Sequence, residues 1–146
     1  MTSCQRTNVS DPIEINAEYH NSYVTLSADV FPNTFETGQP IILSVLYDLN
    51  KVYIFPNNFN IRIFERTKNG WNEIIEVPTI REPQGDVIFS PEINIPFPYV
   101  ISVLPKLPDK NSNYFLRIYI FGEMQNAEKT INVSASIDVK LKPINN

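Results

Sequence analysis

Hydrophobic and polar residues alternate with a period of two along most of this chain. The clearest case is 131–141, where apolar residues occupy every odd position and polar or charged residues every even one. A strand places such alternating residues on opposite faces, whereas a helix would spread the apolar ones around its axis. No stretch sustains the helical spacing of apolar residues. The pattern predicts strands over residues 24–30, 41–49, 52–55, 59–66, 71–77, 86–89, 99–104, 114–121 and 131–141.

The residues between these segments predict how neighbouring strands are joined. Asn69-Gly70 separates 59–66 from 71–77, and Asn-Gly between alternating runs favours a tight hairpin because both residues tolerate positive φ. The segment 114–121 is apolar on both faces except at Arg117, which predicts a central strand. Gly122–Lys129 is predicted to be a polar loop.

The regular last strand, 131–141, is expected to lie at a sheet edge. An unpaired edge can accept a strand from another chain, so we expect a monomer or a weak edge-strand dimer.

Prolines mark the middle of the chain as rich in loops. Seven of the twelve prolines lie between Pro78 and Pro108, and a residue without an N–H cannot donate to a central ladder. Nine Phe, seven Tyr and one Trp add to the strand preference. Short strands joined by short turns predict an all-β fold, a sandwich of two antiparallel sheets with about 7–9 strands.

Length and composition indicate one globular domain. The 146 residues match a single domain, and the 42% hydrophobic and 19% charged shares are those of a folded chain. Residues 1–11 are polar and aperiodic, and are predicted to be a flexible N-terminal tether. Residues 12–146 then form the sandwich domain.

Charge and cysteine content exclude some classes of function. The net charge is −4 and the basic residues are scattered singly, which argues against nucleic-acid binding. The sequence contains no run of eighteen apolar residues, which is the pattern that predicts a membrane-spanning helix. The single cysteine precludes an internal disulfide, which suits a reducing cytoplasmic compartment but also an extracellular domain of this size.

Catalytic and metal-binding patterns are missing from the sequence. His20 is the only histidine, no G-x-S-x-G motif accompanies it, and it is interpreted as a surface residue. One His and one Cys are too few for a zinc site, and no D-x-D-x-D-G calcium loop is present. The carboxylates are dispersed and are interpreted as solubilising charges. We therefore expect no enzyme activity, no metal and no cofactor.

Aromatic residues supply the candidates for ligand contact. Flat rings on a sheet face can stack on sugar rings, as they do on nucleic-acid bases. The preferred interpretation of most rings is nevertheless burial in the core, which aromatic residues dominate. Trp71 follows the Asn-Gly turn and is the best single contact candidate. Tyr53, Phe97 and Tyr99 complete the set of candidates.

Several stretches resemble bacterial immunoglobulin-like domains. FETGQPIILSV resembles their second strand, FNIRIFERTKNGWNEI their strand–turn–strand hairpin, and GDVIFSP, FLRIYIFGE and ASIDVKLKP their later strands; the resemblance spans roughly residues 22–143. It implies an immunoglobulin-like sandwich on a secreted or lipid-anchored surface protein. Such domains serve as stalks, adhesive modules or binding modules without enzyme activity. The chain lacks the cysteine pair that bridges the sheets of the eukaryotic type.

The leading hypothesis is a non-enzymatic cell-surface or secreted module with a protein or glycan ligand. A second hypothesis is a proteinase inhibitor acting through the proline-rich loop 81–98, because proline pre-organises a loop. A third is a carbohydrate-binding module, which would present exposed aromatic rings.

Cys4 suggests how the module would be attached. Thr2-Ser3-Cys4 resembles the end of a bacterial lipobox, in which the cysteine becomes the lipidated first residue of the mature protein. Met1 stands where such motifs usually carry Leu, and the basic and apolar regions of a signal peptide would have to be encoded upstream. Cys4 is thus a candidate for lipid attachment, and membrane contact is expected only through that lipid.

Overall fold

The strands of this protein form two sheets whose inner faces share one hydrophobic core. The computed structural model describes residues 12, 19–20, 23–30, 32–75, 79–80 and 85–143. The predicted tether 1–11, including Cys4, lies outside the described residues. The predicted all-β, two-sheet sandwich is confirmed.

Within the described residues, the larger sheet has eight strands. They are β1 (Tyr19–His20), β3 (Thr34–Glu36), β5 (Val52–Phe55), β6 (Arg62–Thr67), β7 (Gly70–Glu73), β9 (Val87–Phe89), β11 (Tyr114–Asn126) and β12 (Lys129–Lys142). The smaller sheet comprises, among the described residues, β2 (Val24–Ala28), β4 (Ile41–Tyr47), β8 (Thr79–Ile80) and β10 (Tyr99–Leu104). These four strands are antiparallel and lie in the order β2-β4-β10-β8.

The centre of the larger sheet is the long hairpin of β11 and β12. The two strands pair without a break from Tyr114 opposite Leu141 to Asn126 opposite Lys129. The other edge of β11 pairs with β6 and, further along, with β5. The predicted central position of segment 114–121 is therefore confirmed.

Two predictions about this hairpin are wrong. Gly122–Lys129 is not a loop, since β11 continues to Asn126 and only Ala127 and Glu128 form the turn. The polar character of that stretch comes from outward positions, whereas Met124 between them is buried. The last strand is not at an edge either, because its second side pairs in parallel with β1 and β3.

The short strands explain why the sheets contain more strands than the pattern predicts. β1, β3 and β8 were not predicted, and each has two or three residues, too few for an alternating pattern to be recognised. The parallel pairings of β1 and β3 also make the larger sheet mixed rather than purely antiparallel. The predicted hairpin is confirmed as β6 and β7, with Thr67 opposite Gly70.

The strand predicted over 59–66 begins later, at Arg62, because a left-handed turn precedes it. Asn57, Asn58, Phe59 and Asn60 all have positive φ, between 46° and 73°. Asparagine tolerates this region better than most residues because its short polar side chain can bond locally. The turn directs Phe59 into the core, where it is 1% exposed.

Aromatic residues dominate one end of the core. Tyr53, Phe55, Phe59 and Phe89 are all almost completely buried, and Phe55 lies within 6.0 Å of each of the other three rings. The preferred interpretation of the segment's rings as core residues is confirmed for Tyr53, Phe55 and Phe59, whereas Phe64 and Trp71 lie outside the core cluster. Gly122 of β11 lies against Phe55, leaving no space for a larger residue at this crossing.

Candidate functional site

A second layer of aromatic rings lies on the outer face of the larger sheet, outside the core. It consists of Phe64 of β6, Trp71 of β7, and Phe115, Tyr119 and Phe121 of β11, which together we call the aromatic face. Along β11 these rings alternate with core residues such as Leu116 and Ile118. Because successive strand residues point to opposite faces, the segment 114–121, which is apolar at every position except Arg117, produces two apolar layers.

Neighbouring rings of the aromatic face contact one another both across strands and along β11. Phe64 meets Tyr119 edge-on at a centroid distance of 5.9 Å, and Tyr119 stacks with Phe121 at 5.9 Å. Trp71 lies 6.4 Å from Phe115. Phe64 and Tyr119 are only 5% and 4% exposed, whereas Trp71, Phe115 and Phe121 are half-buried. The accessible rings of this layer are therefore Trp71 and Phe115, which lie side by side at one end, and Phe121, which lies beside Tyr119.

Arginines lie against the rings and hold this end in place. The guanidinium of Arg117 is 4.8 Å from the Trp71 ring centre and that of Arg66 is 6.0 Å away, both within cation–π range. Arg117 also binds Asp138 through two hydrogen bonds, from Nε at 2.6 Å and from an Nη at 3.1 Å. A bidentate pair restricts the orientation of the guanidinium plane, so Trp71, Arg117 and Asp138 form a fixed row.

A second ion pair lies on the same face. Arg62 donates two hydrogen bonds to Glu73, at 2.8 and 2.7 Å, and its guanidinium lies 5.2 Å from the Phe64 ring centre. The hydrogen bonds from Arg62 lower the pKa of Glu73, and the same hydrogen bonds raise the pKa of Arg62. Both residues therefore carry their charges at neutral pH.

A cleft of about 250 Å³ opens where the aromatic face meets the start of β3. Its lining combines one aromatic ring with polar and charged side chains. The lining residues are Pro32, Asn33, Thr34, Phe115, Asp138 and Lys140.

The strand register builds this cleft from distant parts of the chain. Lys140 lies directly opposite Phe115 in the β11–β12 pair and beside Thr34 in the β12–β3 pair. Asn33 is held by two backbone contacts: its Nδ2 donates to the Asp138 carbonyl at 3.3 Å, and its own carbonyl accepts from the Lys140 amide at 2.9 Å. The polar wall of the cleft is therefore ordered by the sheet itself.

The charges of the cleft do not cancel. The carboxylate of Asp138 is paired with Arg117, while Lys140 is exposed and has no ion-pair partner within the described ranges. The cleft thus carries one positive charge that the described side chains leave uncompensated, although the chain as a whole has a net charge of −4.

A larger groove of about 540 Å³ lies after β10, lined by Gly38, Lys110 and residues 104–108. Its walls are proline, leucine and lysine side chains, without an aromatic ring or a carboxylate. It therefore lacks the combination of flat apolar surface and convergent polar groups found at the cleft.

The four ligand-contact candidates from the sequence fall into two separate groups. Trp71 is on the aromatic face. Tyr53, Phe97 and Tyr99 belong to the cluster around Tyr47 and Phe89: Tyr47 lies 5.7 Å from Tyr53 and 5.2 Å from Phe97, and Phe89 lies 5.2 Å from Tyr99.

Within that second cluster only Phe97 offers much accessible ring surface, with 47% exposure. Tyr99 is half-buried. Tyr53 is completely buried, its hydroxyl donates to the Tyr23 carbonyl at 2.7 Å, and burial raises its pKa. Because its side chain has no accessible surface, Tyr53 is placed as a core residue and not as a contact residue.

None of the six residues that line the cleft was predicted as a site residue, and Phe115 and Lys140 show why. The signal for Phe115 was available, since a strand that is apolar on both faces implies a second layer outside the core. Lys140 resembled any other outward polar position of an alternating strand. Only its register opposite Phe115 distinguishes it.

The loop 81–98 is not one protruding loop. Residues 81–84 lie outside the described residues, and Val87–Phe89 form β9, which pairs with β5 and buries Val87 and Phe89. The prediction of a strand near 86–89 is confirmed. Residues 90–98 are the part of the predicted loop that remains for the inhibitor hypothesis. Assays of inhibition against a panel of proteases would test that hypothesis.

In the part of the chain that the structure describes, no group of three or more His, Cys, Asp or Glu residues converges on a metal position. The side chain of His20 lies outside that part. No helix among the described residues has the length and apolar character needed to cross a membrane.

The chain matches no protein-family model, and neither curated proteins nor solved structures yield a match. The interpretation of the cleft therefore depends on its own chemistry.

Proposed function

We propose that this protein is a non-enzymatic, immunoglobulin-like binding module whose ligand occupies the cleft beside Phe115. The observation that supports this proposal is that Phe115 belongs to both the aromatic face and the cleft wall. Binding sites typically combine apolar, often aromatic, surface with a few well-placed polar groups. Phe115 would supply the first, and Asn33, Asp138 and Lys140 the second.

The order of the surrounding residues also favours binding. Asp138 is oriented by Arg117, which in turn lies against Trp71, and Asn33 is tied to the backbone of β12. Groups that are already fixed lose little conformational entropy when a ligand binds. A merely solubilising surface would have no need of such a network.

The test of the proposed site uses the only tryptophan of the chain. Trp71 lies 6.4 Å from Phe115, so its fluorescence should change when a ligand enters the cleft. A screen of immobilised glycans and peptides supplies candidate ligands, and titration of each hit into the intact protein gives the affinity. Phe115→Ala should abolish binding, because it removes the apolar wall.

Phe97→Ala is the matched control, since Phe97 is the accessible ring of the other aromatic cluster. It should leave binding unchanged. Loss of binding in Phe97→Ala with retention in Phe115→Ala would move the site to the second cluster and refute the proposal. Circular dichroism melts of both variants establish that they are folded.

We further propose that the module is displayed outside the cell on an N-terminal lipid carried by Cys4. The support is the lipobox-like sequence Thr2-Ser3-Cys4, followed by a sequence that contains no further cysteine. Expression of the native gene with labelled palmitate should label the protein, and Cys4→Ala should not be labelled. Equal labelling of both, or of neither, would refute the anchor and leave the proposed cleft unaffected.

A further inference from the structure

Resting on the proposed binding function, we propose that the ligand of the cleft is an acidic carbohydrate, a sugar chain whose rings carry carboxylates. The inference depends on one row of three side chains that cross three strands. Thr34 of β3, Lys140 of β12 and Phe115 of β11 are successive neighbours in register. The row therefore places a hydroxyl, an ammonium and a flat ring side by side.

The ring provides the surface on which a sugar can lie. The face of an aromatic ring is electron-rich, and the C–H groups on one face of a pyranose are weakly positive and apolar. Phe115 is half-buried, with Trp71 beside it, so the ring is held in place and still accessible from the cleft. The volume of about 250 Å³ is suited to one or two sugar residues, and not to a folded protein surface.

The polar wall provides acceptors and donors for sugar hydroxyls. Both carboxylate oxygens of Asp138 bind Arg117, but each has a further lone pair, and the side chain is 40% exposed. The side-chain amide of Asn33 donates through Nδ2 to the Asp138 backbone carbonyl, which leaves its side-chain oxygen Oδ1 as an acceptor at the cleft. The hydroxyl of Thr34 can donate or accept.

The uncompensated charge distinguishes an acidic sugar from a neutral one. Asp138 is neutralised by Arg117, so Lys140 sets the net charge of the cleft lining. Directly opposite residues in an antiparallel pair have Cβ atoms about 5 Å apart, so a carboxylate on a ring stacked against Phe115 falls within reach of the Lys140 ammonium. A neutral sugar would make the stacking contact and leave that charge without a partner.

The experiment compares acidic and neutral forms of the same sugars. The probes are tetragalacturonate and its methyl ester, and sialyllactose and lactose, each titrated into the full chain by calorimetry and by Trp71 fluorescence. At least one acidic probe should bind about tenfold more tightly than its neutral counterpart, and its affinity should fall as salt rises.

Variants assign the preference to the cleft. Lys140→Gln should reduce the affinity for the acidic probe about tenfold and leave that for the neutral one unchanged. Lys142→Gln is the control, because Lys142 is an exposed lysine on the same face of the same strand, two residues beyond the cleft lining. It should affect neither affinity.

The outcomes separate this inference from the proposed function. Equal affinity for acidic and neutral sugars, abolished by Phe115→Ala and insensitive to Lys140→Gln, overturns the acidic preference and keeps the cleft as a binding site. Binding of acidic peptides in place of all four sugars, with the same Phe115 dependence, also overturns the carbohydrate inference alone. Sugar binding that survives Phe115→Ala overturns both.

Discussion

The backbone amide of Asp109 donates a hydrogen bond to the Tyr114 hydroxyl at 3.1 Å, and that hydroxyl donates back to the Asp109 carbonyl at 2.9 Å. Asp48 and Tyr53 repeat half of this arrangement, with the Asp48 amide 3.1 Å from the Tyr53 hydroxyl. In both turns the carboxylate also accepts from the amide two residues later. The sequences are DLNKVY and DKNSNY, so one pattern closes the turn before β5 and the turn before β11.

The two tyrosines should differ in their importance for stability. The Tyr53 hydroxyl donates to the Tyr23 carbonyl, thirty residues away in sequence, whereas that of Tyr114 donates within its own turn. Tyr53→Phe should lower the free energy of unfolding by about 1–3 kcal/mol, because the Tyr23 carbonyl and the Asp48 amide both lose their hydrogen bond to a buried hydroxyl, and Tyr114→Phe by about 0.5–1.5 kcal/mol. Urea denaturation measures both. A larger loss for Tyr114→Phe would contradict this account.

Acid should weaken the ion pair on the outer face. Arg62 lowers the pKa of Glu73 below its ordinary value of 4.5, so folding favours the charged carboxylate. That stabilisation is fully present above the unfolded-state pKa and is lost as pH falls through the lower folded-state pKa. Because the pair is partly exposed, its contribution should be about 0.2–1 kcal/mol.

Glu73→Gln should therefore reduce the loss of stability measured by urea denaturation between pH 6 and pH 3. Glu123→Gln changes an exposed carboxylate of the same sheet and serves as the control. A pH dependence that is the same in Glu73→Gln and in the unmodified protein would show that the pair contributes nothing.

Gly122 should not tolerate a side chain. A Cβ there would lie 2.7 Å from the Ile54 carbonyl oxygen and closer still to the Phe55 ring, and the carbonyl is backbone that cannot rotate away. Gly122→Ala should destabilise the protein by about 1–3 kcal/mol, the usual range for an overpacked core. Ser136→Ala, at an exposed position on the paired strand, should change stability little. Thermal denaturation that shows equal effects would contradict the close approach.

The left-handed turn should discriminate between substitutions at Asn60, whose φ is 46°. Valine is branched at Cβ and should cost about 1–2 kcal/mol in this region, while glycine adopts it without a steric penalty. Chemical denaturation of Asn60→Val and Asn60→Gly makes the comparison. The prediction fails if the valine variant is as stable as the glycine variant.

The alternating pattern was sufficient to locate the strands that carry the core. The hairpin at Asn69-Gly70 and the central position of segment 114–121 could be predicted, because side-chain alternation and turn preference act between residues close in sequence. The position of Trp71 directly after the Asn-Gly turn suggested partial exposure, and the structure places its half-buried ring in the outer aromatic layer.

The partners of each strand were decided only in three dimensions. The pairing of β12 with β1 and β3 moves the last strand from the edge to the interior of the sheet, and nothing in its own eleven predicted residues, 131–141, indicates this. The cleft has the same origin: Thr34 and Phe115 are far apart in the chain and share Lys140 as a neighbour through strand register. Alternation determines which face a residue takes, whereas long-range packing of the two sheets determines which residues meet there.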